Sequence, residues 1–302
     1  MKLDPLYLRY LRSIAEHGSF SRAAGVENIS QPALSNKIAL LEQQFGVRIM
    51  ERGRHGATLN DFGTILLRYA RALDALIQQA KDEIDLKKLG YEGPLVIGGT
   101  PVTLVELAPV AVKRLASENR RISISIVEGD DDDLIEKLRA GEIELMLSSG
   151  DPGMRHPDFQ QETLLRLPIE AVVSATNPLA ARRVISLEQL MDQQWAFPAA
   201  GSIFRQQIEA IFLNYGVGFP DSHWSCNSLM SLKAIVQNTH SVTIMPRHAF
   251  GLEAKAGLLH GIRLRNVSVN RTIGIMTVRM RALSPLANRF IDVLREVARG
   301  IH

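Results

Sequence analysis

The chain has one cysteine, Cys226, in 302 residues. A single thiol cannot close an intramolecular disulfide, which points to a reducing compartment and excludes a switch built on two cysteines of one chain. The ordinary role for such a residue is a small buried or half-buried thiol. Long apolar runs are missing as well: Met1 leads through a polar segment directly into a helix, with neither a signal-peptide core nor a membrane span. The expectation is a cytoplasmic protein with no membrane partner. The eight histidines include no His-x-x-x-His pair, so no metal site or cofactor is expected. Gly-x-Ser-x-Gly and the phosphate-cradling glycine loop are absent too, and His240, His248 and His260 stand alone as structural or exposed residues. These absences argue against an enzyme.

What charge imbalance there is lies at one end. Residues 1–90 carry 13 Lys and Arg against 10 Asp and Glu, whereas the rest carries 22 of each. A modest basic excess in the N-terminal part is where a nucleic-acid surface would be expected. The length allows two or three domains at roughly 100 to 200 residues each, and with 46% apolar residues the remainder can bury a substantial core.

Residues 4–17 predict a first helix, with Leu6, Leu8, Leu11, Ile14 and Ala15 buried. Residues 19–45 predict a helix, a turn and a second helix that starts at Ser30, a good cap, with Pro32 tolerated in the first turn. Leu34, Ile38, Leu41 and Phe45 repeat at helical spacing as its inner stripe. Pro32, Ser35, Asn36, Ala39 and Gln43 fall on the opposite face, with Gln31 at the tip. Small and amide side chains on an exposed N-terminal face suit base edges in the major groove, because bulky chains block entry and Asn or Gln can bond adenine bidentately. An ordinary amphipathic surface helix is the alternative. Two short strands then flank a basic, glycine-bounded tip at residues 53–56, suited to phosphates or the minor groove.

Ser30-Gln31-Pro32-Ala33-Leu34-Ser35, followed by Leu41-Glu42, Phe45-Gly46-Val47-Arg48 and Glu51-Arg52, resembles the N-terminal domain of the LysR-type transcriptional regulators. The resemblance implies that Gln31, Pro32, Ser35 and Asn36 lie in the major groove, that Lys37 and Arg52 serve phosphates, and that Arg54 reaches from the wing. Two positions depart from the family pattern. Asn36 stands where a basic residue is usual, so base preference should differ there. Glu27 stands where leucine is favoured, leaving Val26 or Ile29 to fill that part of the core.

From Asp61 to Lys88 the sequence predicts one long helix capped by Asn60. Phe62, Leu66, Tyr69, Leu73, Leu76, Ala80 and Ile84 form a seam close to heptad period. At about 1.5 Å per residue the helix is roughly 40 Å long, too long for a small winged domain to cover. Packing within its own chain is one outcome; the resemblance implies pairing between two subunits.

Beyond residue 90 strands alternate with helices, in a βαβαβ order that implies a parallel sheet flanked by helices. A second such set begins at Ile169, and the chain returns to the first through Thr272 to Val278 and a closing helix from Pro285. The resemblance extends here, more loosely, to the two-lobed α/β effector domain of the periplasmic-binding-protein kind. The expected organisation is a winged helix-turn-helix over 1–60, a linker helix over 61–90 and an effector domain over 91–302. Lobe I would take about 91–167 and 269–302, and lobe II about 168–268.

In open α/β sheets ligands sit at the carboxyl ends of strands, beside loops and helix N-termini. Candidates are Thr100, Pro101, Val102 and Thr103 after the first strand and Ser148 and Ser149 after the third. Ser202, Ile203 and Phe204 open one second-lobe helix, and Asn227 opens another. The resemblance puts effector contacts at Thr100, Ser202, Phe204 and the serine-rich loop, although Ser, Thr and Asn also serve simply as helix caps. The run Asp130 to Asp133 reads as a solvated complement to a helix N-terminus. In this family the residue matching Asp131 can face the cleft, and there it would favour a ligand carrying donors or positive charge over a simple carboxylate. The implied partners are double-stranded promoter DNA, a small-molecule effector, RNA polymerase and further copies of the chain, as a homodimer and homotetramer. A catalytic use of the α/β lobes and a purely architectural DNA binder are the competing classes. Ligand-sensitive footprints at defined sites would separate the regulator from both.

Overall fold

The computed structural model describes residues 3–53, 56–149 and 157–300. It comprises two compact units, Met1–Pro94 with Glu136–Ile143, and Leu95–Ile135 with Glu144–His302. Among the described residues no helix is long and apolar enough to cross a membrane.

The first unit holds α1 (Pro5–His17), α2 (Phe20–Val26), α3 (Gln31–Phe45), the hairpin β1 (Met50–Gly53) and β2 (Gly56–Leu59), and α4 (Asp61–Lys88). Leu8, Leu11, Ile14, Ala23, Leu34, Ile38, Leu41 and Ile49 close one core. Each large aliphatic side chain removed from water there contributes about 1.5 to 3 kcal/mol. Ser30 Oγ accepts from the Ala33 N–H at 3.3 Å, and Gly46, at φ 69°, ends α3 in the left-handed region that a side chain would disfavour. Glu42 Oε1 then accepts from the Ile49 N–H at 2.9 Å and ties α3 to the hairpin. The position of Glu27 is filled differently from either expected replacement alone. Val26 is exposed and Ile29 packs on the core, while the Glu27 side chain is only 6% exposed and pairs with Arg9 at 2.9 Å.

The second unit begins within β3 (Glu92–Gly99) and continues through α5 (Pro101–Leu104), α6 (Leu107–Glu118), β4 (Ile122–Glu128) and the first half of α7 (Asp131–Ala140), whose residues from Glu136 on belong to the first unit, and then β5 (Leu145–Ser148) and β6 (Phe159–Ser174). Next come β7 (Val184–Ile185), β8 (Trp195–Pro198), α8 (Ile203–Asn214), β9 (His223–Cys226), α9 (Leu229–Asn238) and β10 (Thr243–Pro246). The chain closes with α10 (Gly251–Lys255), β11 (Leu259–Leu264), β12 (Asn270–Val278) and α11 (Pro285–Arg299). The sheet is mixed, not purely parallel: β3 runs parallel to β5, while β12 is antiparallel to both β5 and β6. The reason is the return path, since β12 re-enters from lobe II against the direction of β5. β6 pairs with β12 from Phe159 to Pro168 and with β10 and β11 from Ile169 to Ser174, so the chain changes lobes within one strand. Each lobe has its own core. Leu286, Phe290, Val293 and Leu294 of α11 pack with Leu107, Ala111 and Leu115 of α6, and Trp195, Phe197, Ile208 and Phe212 fill the other.

The start of α4 is held by close approach. Asn60 Oδ1 accepts from the Gly63 N–H at 3.0 Å, its Nδ2 donates to the Arg48 carbonyl at 2.9 Å, and a Cβ on Gly63 would lie 2.1 Å from the Ile49 carbonyl oxygen. Gly63→Ala should therefore cost about 1 to 3 kcal/mol in a melting experiment, because backbone must move. Gly25→Ala, in α2 with nothing within 4 Å of the new methyl, should be neutral or stabilise by about 0.4 to 1 kcal/mol. Equal effects of the two would contradict the close approach.

Candidate nucleic-acid interface and ligand cleft

On α3, Gln31, Pro32 and Asn36 are exposed at the N-terminal end, and Ser35 and Lys37 are half-buried on the following turn. The cap and Pro32 set where this tip begins, and the buried stripe of Leu34, Ile38 and Leu41 turns it outward. Lys37 Nζ lies 5.2 Å from the centroid of the Tyr7 ring, a cation–π contact that steadies the ammonium while leaving it able to pair with an anion. Arg52 lies in β1 opposite Ala57; its side chain, and Arg54 altogether, fall outside the described residues.

Along α4 the expected seam divides. Leu66 is buried and Leu73 packs against the helical core, so these two serve the chain's own interior. Phe62, Tyr69, Leu76 and Ile84 are exposed, joined by Ile65 and Ile77, and Ala80 is exposed beside them. An apolar face of this extent in water is the signature of an association surface.

The ligand cleft lies within the second unit and has a volume of about 380 Å³. Of the expected residues, Thr100, Pro101, Val102, Asp131, Ser202, Ile203, Phe204 and Asn227 line it; Thr103, Ser148 and Ser149 do not. Thr103 is fully buried, and its hydroxyl donates to the Leu147 carbonyl at 2.8 Å, which pins the loop to β5. With that proton committed, the 3.3 Å contact between the two threonine hydroxyls leaves Thr103 as acceptor, so the donor is Thr100. Ser202 is occupied as well: its hydroxyl donates to the Ala199 carbonyl at 3.0 Å and accepts from the Arg205 N–H at 3.2 Å. It therefore caps α8, and what this helix start offers a ligand is the amides of Ile203 and Phe204, since that of Arg205 is taken by the cap.

Arg205 holds that helix start in place. It is 5% exposed, with its guanidinium carbon 4.9 Å from the Phe197 ring centroid and 4.4 Å from that of Phe219. Its Nε donates to Glu209 at 2.6 Å and its Nη2 to His223 Nε2 at 3.1 Å. Because a guanidinium only donates, His223 carries its proton on Nδ1, which donates to the Pro220 carbonyl at 2.9 Å.

Sequence reasoning missed Arg271, which also lines the cleft. It is 6% exposed, its guanidinium carbon sits 4.6 Å from the Phe204 ring centroid, and Nη1 donates to Gln207 Oε1. Its Nε is buried and, among the described residues, has no hydrogen-bond partner. Burial pushes its pKa down to about 10 and the Asp131 carboxylate pulls it back up, so it remains a cation at neutral pH. Asp131 in turn is pushed up by burial, pulled down by Arg271 and raised by Asp132 and Asp130. A signal for Arg271 was available: it shares strand parity with the buried Ile273 and Ile275. Cys226 also lines the cleft, as a free, half-buried thiol.

Comparisons with known proteins match both parts of the chain. A family model described as "LysR substrate binding domain" matches residues 89–299, and one described as "Bacterial regulatory helix-turn-helix protein, lysR family" matches residues 7–64. A probable RuBisCO transcriptional regulator of Chlorokybus atmophyticus is 27% identical over 297 residues, covering 95% of this chain and 92% of that protein. The HTH-type transcriptional regulator GbpR of Azospirillum brasilense is 26% identical over 294 residues, covering 96% of this chain and 86% of its own. ArgP from Mycobacterium tuberculosis shares the fold, with a TM-score of 0.69 over 100% of this chain and 99% of that one at 18% identity.

His248 supports the cleft loop from behind. Its Nε2 donates to the Val102 carbonyl at 2.9 Å, and its buried Nδ1 has no partner among the described residues. Burial drives its pKa down to about 4, against the bond to Val102, which raises it, and with help from Arg271, which lowers it. A depressed pKa makes this contribution to stability complete above the unfolded value near 6.5 and lost as pH falls toward 4. Between pH 7 and pH 5 the wild type should lose about 2 kcal/mol more than His248→Gln, measured as urea unfolding of the cleft-bearing unit. Parallel pH profiles for the two proteins would show that His248 is not held neutral.

Proposed function

The chain belongs to the LysR family of transcriptional regulators, and from that premise we propose how its own residues carry out the regulation. It is a DNA-binding regulator with an effector-binding domain, and not an enzyme. The reading is carried by the exposed tip of α3, where Gln31, Pro32 and Asn36 stand clear of the core on a helix with a fixed start. Gln31, Ser35 and Asn36 read base edges, Pro32 keeps the approach narrow, and Lys37, Arg52 and Arg54 neutralise phosphates. Two copies pair through the exposed face of α4 and present two such tips to a two-fold promoter site, with tetramers built from further contacts. A small molecule in the cleft of the second unit shifts the balance between arrangements of the assembly, and RNA polymerase responds at the promoter in the cytoplasm. Support for the cleft as the effector site comes from the convergence there of Thr100, the α8 amides, Asp131 and Arg271.

Gln31→Ala should weaken binding to a specific site by about 1 to 3 kcal/mol and relax preference at one base position. Lys37→Ala should instead weaken all sequences and reduce the salt slope by about one unit. Anisotropy titrations on operator and random DNA at several salt concentrations distinguish these; equal losses on both DNAs for Gln31→Ala would remove it from the reading set.

Leu76→Glu, on the exposed face of α4, should dissociate the dimer and abolish operator binding while the helical core stays folded, since an unpaired anion would otherwise be buried at the interface. Leu73→Glu should unfold the first unit instead. Light scattering with circular dichroism reads both; a folded, still dimeric Leu76→Glu variant would overturn the assignment of this face.

A further inference from the structure

We propose that the cleft of the second unit takes a free α-amino acid with an apolar side chain, its carboxylate held at Arg271 and the α8 amides and its ammonium at Asp131. The proposal rests on the reading of this cleft as the effector site. Its basis is a pair of opposite charges that line one cavity and feel each other's field but, among the described residues, share no hydrogen bond. Arg271 is 6% exposed and uses Nη1 on Gln207, yet among those residues its buried Nε has no partner. Asp131 begins α7 on the same cavity and, within electrostatic reach of Arg271, makes no side-chain hydrogen bond among the described residues. A ligand with one charge would engage one member and offset its pull on the other, leaving that other charge under-compensated in a partly desolvated site. A lone carboxylate would meet Arg271 but be repelled by Asp130, Asp131 and Asp132; a lone amine would be repelled by Arg271. A zwitterion answers both, with its carboxylate matched to the planar donor fork of the guanidinium.

The rest of the wall decides the side chain. Val102, Ile203, Phe204, Leu229 and Leu232 contribute apolar surface, and a cavity of about 380 Å³ falls in the range of small-molecule sites. Against these walls an uncharged polar or anionic side chain would lose hydration, and only a cationic one would find a charge to meet, at Asp130 and Asp132.

The test uses the full-length protein and calorimetric titration with each of the twenty standard L-amino acids, together with isocaproate and isoamylamine, which are leucine without its amine and without its carboxylate. An apolar L-amino acid should bind about a hundredfold more tightly than either single-charge analogue, the scale expected when one charged hydrogen-bonding group is lost. Asp131→Asn should weaken the amino acid and improve isocaproate, bringing the two within a few-fold of each other. Arg271→Gln should abolish amino-acid binding; should that variant fail to fold, the Asp131→Asn reversal still decides. Isocaproate binding wild type as well as leucine would overturn the proposal in favour of a simple anion site. So would failure of every amino acid to bind. In that case a low-mass cell extract separates the two levels: if it still alters the operator footprint of wild type, the effector reading stands and only the amino-acid assignment falls, whereas no response to the extract sinks both.

Discussion

The antiparallel pairing of β6 with β12 is the constraint on which the cleft depends. β6 is one strand of 16 residues whose first part completes the sheet of one lobe and whose last residues join the sheet of the other. β12 lies beside it, with Arg271 opposite Leu167 at the place where β6 changes partner. Backbone groups buried there have few alternatives to this ladder, so the two segments are held in register. That register places the Arg271 guanidinium against Phe204 and Gln207 of α8 and within electrostatic reach of Asp131 at the start of α7. A slip of one residue would turn Arg271 outward and exchange it for Thr272 or Asn270.

The same crossing makes ligand control mechanically reasonable. Two strands joining two lobes form a hinge, and a ligand that touches elements on both sides of it can favour one disposition of the lobes. Regulation follows only if the ligand binds the dispositions unequally, and coupling free energies of about 1 to 3 kcal/mol are the usual scale. His248 and Thr103 fit this picture as supports. One holds the Val102 carbonyl and the other anchors the loop to β5, so the cleft loop is held ready before any ligand arrives.

Much of this was legible in the sequence where local chemistry and packing agree. The bounds of α4 and the Ser30 cap with Pro32 in the first turn of α3 follow from capping and periodicity, whereas the cleft position of Thr100, Asp131 and Phe204 came from the family resemblance, since the aspartate run alone reads as a solvated helix start. What escaped is tertiary in origin. The first part of β6 is mostly exposed or half-buried, so it lacks the apolar alternation that marked Ile169 onward. The division of the α4 seam depends on which residues α1 covers, and periodicity alone cannot tell a partner in the same chain from one in another. Ser202 was recognisable as a cap or a contact, but only its two hydrogen bonds show that its hydroxyl is already occupied. Arg271 carried the right parity for the inside of a strand, while its charge suggested the outside.

The central claim is that occupancy of the cleft is coupled to the way the protein holds its promoter. The direct measurement is a footprint on a bound promoter fragment, taken with and without a low-mass cell extract, for wild type and for Thr100→Val. That variant removes the hydroxyl at the cleft wall, whose proton goes to Thr103 and whose oxygen is left to accept, while keeping nearly the same volume. The account predicts that the extract changes the wild-type footprint, or its half-saturation, by roughly fivefold or more, and that Thr100→Val binds the same DNA with little or no response. An identical response in both proteins would contradict the coupling of this cleft to DNA.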